Sequence, residues 1–130
     1  MITLTEYYMG RDREFPEEFE GANVEHNAKF LLHQVNGLLK SLNIDNVEVR
    51  SGWRPRVINE KVGGSSRSYH IVGRAIDIAD PLGGLGIILS QNPEKLRAHQ
   101  LWLEDPQKTK TWVHLDNGIR KDRESRIFLP

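Results

Sequence analysis

Between Asn23 and Leu42, Ala28, Leu31, Leu32, Val35, Leu38, Leu39 and Leu42 recur at steps of three and four residues. That spacing puts all seven on one face of a helix. An apolar face of this length has to be buried, so the rest of the chain folds around it. Asn23 suits the start of the helix and Asn43 its end. His26 and His33 lie off the stripe and read as solvated. With 130 residues, the chain fits one domain, residues 1–130, which can bury about two thirds of its unfolded surface.

The remaining segments supply short strands and short helices. In "NVEVRSGW", Val47 and Val49 alternate with Glu48 and Arg50, the pattern of a half-buried strand. "RPRVINEKVGGSSRS" reads as a short helix and then a Gly/Ser loop. "GRAIDIAD" reads as a strand with Asp77 on the face opposite Ile76 and Ile78. "PLGGLGIILSQNPEKLRAHQ" holds one or two helices broken at Asn92-Pro93, with His99 a surface histidine at the end. "LWLED" and "TKTWVHLD" are strands joined by a polar turn around Pro106. Met1 to Ala22 reads as an irregular arm, and the charged tail ends in an apolar anchor. Helices segregated from a few antiparallel strands define an α+β class, a small antiparallel sheet packed with helices.

Composition removes several classes of function. Eighteen basic residues balance eighteen acidic ones, so there is no electrostatic footprint for nucleic acid or for an anionic membrane. The apolar run "GGLGIIL" is far shorter than the ~20 residues of a membrane span. The N-terminus lacks a basic start followed by an apolar core, and the expectation is a chain made in the cytoplasm without a signal peptide. There are no cysteines, so any zinc must be held by His, Asp or Glu.

Three such groups stand out. His70 ends the Gly/Ser loop, Asp77 lies on the strand that follows, and His114 lies on a later strand. Two imidazoles and one carboxylate make a zinc set with the fourth position open to water. The ion would lower the pKa of that water to ~7 and polarise a carbonyl, which suits amide hydrolysis. A His and an Asp near a strand are common, and the residues around them add the specificity. Ser68, His70, Gly73, Ala75 and Asp77 spell SxHxxGxAxD; "SGWRPRVIN" lies upstream with Ser51, Gly52, Trp53, Arg54 and Asn59; Trp112, His114 and Asp116 follow downstream. The small Gly73 and Ala75 suit a strand that passes close to another element.

These three motifs, in this order, resemble the zinc D,D-carboxypeptidases and L-alanyl-D-glutamate endopeptidases that cut bacterial peptidoglycan peptides and share a fold with the hedgehog signalling domain. Trp53 stands where that family usually has Tyr. The resemblance implies that His70, Asp77 and His114 hold Zn2+, that Arg54 contacts substrate or the scissile carbonyl, and that Ser68 hydrogen-bonds substrate or caps its turn. Such enzymes usually carry a carboxylate or histidine three residues before the last ligand. Here Thr111 occupies that place, after Lys108, Thr109 and Lys110. Asp116 could orient a ligand or reach the metal's water, since Trp112, His114 and Asp116 share one strand face. Glu104 and Asp105, on the preceding turn, could fold over the site. Trp53 and Trp112 could line a substrate groove or sit in the core.

The expected function is zinc-dependent hydrolysis of D-Ala-D-Ala or L-Ala-D-Glu bonds in peptidoglycan by a monomer that is phage- or prophage-delivered to the cell wall. The alternative is a zinc-stabilised module, without catalysis, that binds or builds part of a phage particle.

Overall fold

The computed structural model describes residues 1–130. Its centre is the helix that the apolar stripe demands: α4, Val24–Ser41, buries Val24, Ala28, Leu31, Leu32, Val35, Leu38 and Leu39. His26 and His33 are exposed on its outer side. Asn43 stops the helix in the left-handed conformation, φ +57°. Its N–H donates to Lys40 O at 3.1 Å and that of Ile44 to Leu39 O at 2.9 Å, the paired closing bonds of a left-handed helix stop. The start differs from expectation. Asn23 precedes the helix but is itself left-handed, φ 55°, and its side chain makes no capping bond.

The N-terminal arm is helical rather than irregular, in three short pieces: α1 Leu4–Tyr8, α2 Arg11–Glu14 and α3 Pro16–Gly21. Each is too short to show a helical period, and local chemistry sets their starts. The Thr3 hydroxyl accepts from Glu6 N–H while the Glu6 carboxylate accepts from Thr3 N–H. Pro16 begins α3, where a missing N–H costs nothing.

The sheet has five strands in the order β1-β2-β4-β3-β5: β1 Val49–Ser51, β2 Ala75–Ala79, β3 Trp102–Glu104, β4 Trp112–Asp116 and β5 Ile127–Phe128. The first four pair antiparallel, as the sequence predicts. The charged tail departs from that plan, because β5 joins β3 parallel. Helix α5, Arg56–Lys61, follows β1; α6, Gly84–Ser90, and α7, Pro93–Ala98, link β2 to β3.

One face of the sheet carries Ile76, Ile78, Val113, Leu115 and Leu103, which share a single 19-residue core with the stripe of α4. Such positions are sensitive: truncating one buried Leu to Ala typically costs ~2–5 kcal/mol. Alternation then sends Asp77 and His114 to the other face. The core therefore sets the register that assembles the site.

Candidate metal centre

A single row of side chains crosses the sheet on its polar face. Ser51 pairs with Asp77, and Asp77 with His114. Continuing the β3–β4 register by one residue from Leu103↔Leu115 puts Glu104 opposite His114, and Glu104 in turn pairs with Phe128 on β5. Directly opposed residues point to the same face, so sheet register alone brings together residues spread from 51 to 128.

His70 reaches this row from a 3-10 turn, Tyr69–Val72, whose first N–H bonds are organised by Ser68: its Oγ accepts from His70 N at 3.1 Å. Ser68 also lines the cleft, but capping is the contact its side chain makes here. The turn closes at Gly73, φ +79°, where a Cβ would lie 3.1 Å from Val24 Cγ1 and 3.2 Å from Val24 O of α4. Glycine is needed there on both counts.

The outer nitrogen of each imidazole is tied down. His70 Nδ1–H donates to Gly52 O at 2.8 Å, which turns Nε2 toward Asp77 Oδ1, 3.2 Å away. His114 Nε2–H donates to Asp116 Oδ2 at 2.8 Å, which turns Nδ1 to the same Asp77 oxygen at 2.9 Å. One potential ligand atom from each of the three residues lies within 4.8 Å of the others. Zinc bonded at ~2.0–2.2 Å in tetrahedral geometry spaces its ligand atoms by roughly 3.3 Å, so the cluster fits such an ion. The electron pairs argue the same way. Burial pushes His70 below its ordinary pKa despite Asp77. Neutral His70, with its proton on Nδ1, aims a lone pair at a carboxylate oxygen, an arrangement that a shared cation satisfies.

The charges around the cluster are strongly unequal. Burial alone would raise Asp77, but hydrogen bonds and charge from His114 and His70 outweigh it and hold the carboxyl well below the usual range. Burial likewise opposes the imidazolium of His114, yet its bonds to Asp116 and Asp77 bring the pKa up to about 9. Arg54 Nη2 donates to Asp77 Oδ2 at 2.9 Å, its Nε to Ser51 Oγ at 2.8 Å and its Nη1 to Asn59 Oδ1 at 3.3 Å. Asn59, itself buried, also donates to Ser65 O at 2.9 Å, which ties the Gly/Ser loop to Arg54.

The cleft around these groups has a volume of ≈ 420 Å³ and is bordered by Arg54, Ser68, Tyr69, His70, Asp77, Glu104, Trp112, His114, Asp116, Arg120 and Phe128. That is within the usual size of a small-ligand site. Trp112 is thus at the cleft, with Arg50 stacked 4.9 Å from its ring centroid. Trp53 is not. It is fully buried, its indole N–H donates to Ile71 O at 2.7 Å, and it packs on Phe19. The core took it because Gly52 brings the backbone flush against Tyr7: a Cβ on Gly52 would fall 1.9 Å from Tyr7 O.

Asp116 also stands apart from the expected catalytic position. It is 1% exposed and sits behind His114, saturated by His114, by Gly118 N–H at 3.0 Å and by both arms of Arg120. That is the environment of a group that orients a ligand rather than one that takes a proton. Thr111 faces away, its Oγ1 accepting from Arg50 Nη1 at 2.7 Å. Asp105 is turned out of the cleft and caps its own turn through Gln107 N–H at 3.0 Å. Glu104, by contrast, is on strand β3 and faces into the cleft beside His114. Burial is the main influence that raises its pKa, with Asp77 and Asp116 adding to it and His114 and Arg120 opposing. Arg120 and Phe128 were not legible as site residues; their only sequence signal is a basic, then apolar, tail.

Two imidazoles and one carboxylate in an open cleft, each imidazole locked through its outer nitrogen, could hold one metal ion with the donor set of hydrolytic zinc sites. The particular family follows from comparison: the family model for Peptidase M15 matches residues 13–116. The chain belongs to the peptidase M15 family, whose members are zinc-dependent. A search of curated proteins finds no match. No helix in the chain is long and apolar enough to cross a membrane.

Proposed function

We propose that this chain is a zinc-dependent peptidase that hydrolyses peptide bonds of peptidoglycan, of the D-Ala-D-Ala or L-Ala-D-Glu type, and that residues 1–130 act as one monomeric domain. The observation that carries this reading is the convergence of His70 Nε2 and His114 Nδ1 on Asp77 Oδ1, at 3.2 and 2.9 Å. In this reading His70, Asp77 and His114 hold zinc, which supplies an acidified water and a polarised carbonyl when bound.

The chain's own residues do the rest. Glu104, opposite His114 and kept basic enough by partial burial, accepts the proton from the attacking water and returns it to the leaving amine. Arg54, held on Asp77 Oδ2 at the cleft wall, supplies positive charge for the oxyanion that develops on the scissile carbonyl. Trp112 and Ser68 border the groove in which the peptide lies. Asp116 keeps the proton of His114 on Nε2 and so keeps Nδ1 free to ligate. The presence of Glu104 in the cleft answers the missing carboxylate at Thr111 and favours catalysis over a purely structural module.

The test is product analysis. Purified muropeptides incubated with the zinc-loaded protein should yield either free D-Ala or a new N-terminal D-Glu, read by mass spectrometry. Intact muropeptides from a protein shown to contain zinc would rule the reading out.

A further inference from the structure

The stretch matched by the family ends at Asp116, yet the wall of the metal site does not. Beyond it the chain turns back, and Arg120 clasps the Asp116 carboxylate with both arms, Nη1 to Oδ1 and Nη2 to Oδ2, the latter at 3.1 Å. The guanidinium is itself fixed. It lies 3.6 Å over the centroid of the Phe128 ring, with the Tyr69 and Trp102 rings at 5.6 and 5.7 Å. Phe128 also meets the edge of His114, ring centroids 5.8 Å apart. Its position is set by β5, whose backbone bonds Leu103 N–H to Arg126 O and Asp105 N–H to Phe128 O, both 2.9 Å, secure it to β3.

We propose that Arg120, braced by Phe128, is a positioning residue for the metal: it fixes Asp116, and Asp116 fixes the ring of His114. This rests on the reading of His114 as a zinc ligand. Asp116 is 1% exposed, so protein donors rather than bulk water satisfy its oxygens, and Arg120 supplies two of those contacts. A planar two-armed donor restricts the carboxylate to one plane, which an ammonium cannot do. The Phe128 face beneath it restricts the orientation of the guanidinium and covers part of it. With the arm removed, Asp116 keeps only His114 and one backbone N–H; it can rotate, and the imidazole with it.

The test uses the full chain as Arg120→Ala, Arg120→Lys and Phe128→Ala beside the wild type. Zinc dissociation constants come from competition with a chromophoric chelator, metal-free folding from circular-dichroism melts, and KM from muropeptide cleavage at saturating zinc. Arg120→Ala should weaken zinc binding up to about 10-fold, the lower end of the loss seen when the direct partner of a metal ligand is removed, because Arg120 acts through Asp116. Arg120→Lys should recover only part of that loss and Phe128→Ala should lose less. If Arg120→Ala does not fold, the lysine and Phe128 variants decide by the same measure. Unchanged zinc affinity in folded variants, or a raised KM with unchanged affinity, overturns the proposal and makes Arg120 a merely structural or substrate-contacting residue while leaving the peptidase reading intact. A wild type that binds no zinc overturns both.

Discussion

Glu104 and His114 occupy opposed positions on β3 and β4 and point into one cleft, although nine residues, a polar turn among them, lie between them in the chain. This pairing puts a partly desolvated carboxylate beside the imidazole proposed as a metal ligand and separates two roles that the sequence leaves merged. Glu104 faces the cleft. Asp116 stands behind the ring and fixes its tautomer.

Replacing Glu104 with Gln should therefore remove proton transfer and little else. We expect kcat to fall about 10²–10⁴-fold with the zinc dissociation constant within a few-fold of wild type and KM nearly unchanged. Steady-state kinetics on a defined muropeptide, with zinc content measured on the same sample, checks this. Full activity in Glu104→Gln would move the base elsewhere.

Zinc uptake should release a proton. In the metal-free protein the carboxylates beside His114 overcome its burial and bring its pKa up to about 9 from 6.5, so at neutral pH it is protonated between Asp77 and Asp116. Zinc needs the neutral ring. His70, held below its ordinary value, adds no proton in this range. Apparent zinc affinity should thus rise up to tenfold per pH unit between about pH 6.5 and 8 and level off near pH 9. The same shift gives the metal-free fold a stabilisation that is complete below pH 6.5 and lost as pH rises through about 9. Calorimetry in buffers of different ionisation enthalpy should report about one proton released at pH 7.5; none would contradict the arrangement.

Gly52 links the core to the site. Its missing Cβ lets the backbone lie against Tyr7 O, and its own carbonyl receives the His70 Nδ1 proton. Gly52→Ala should destabilise the fold by about 1–3 kcal/mol or more and weaken zinc binding as well, because the segment after β1 that orients His70 must move. Thermal melts with and without zinc would show both effects; a variant with wild-type melting and wild-type affinity would refute the link.

Much of this was legible because it is periodic. The stripe from Ala28 to Leu42 declares α4, and the alternation of Ile76, Asp77 and Ile78 declares which side of β2 faces the core. The three candidate ligands were readable because they lie on that second side or at its loop. Partners set by pairing across the sheet were not. Nothing local to Glu104 distinguishes it from Asp105; only the register opposite His114 does. Trp53 carries no sign of whether it meets solvent, and the contact that buries it lies forty-odd residues away at Tyr7. The short helices of the first 22 residues rest on caps and a proline rather than on a repeat, and the parallel strand β5 is too short to show alternation.

The most direct measurement of the central claim is cleavage of purified peptidoglycan peptides by the chelator-stripped protein before and after stoichiometric zinc. The account predicts no cleavage when stripped, recovery at one zinc per chain, and no recovery in a His114→Ala variant that still folds. Cleavage that persists without metal, or that zinc restores equally in His114→Ala, would contradict it.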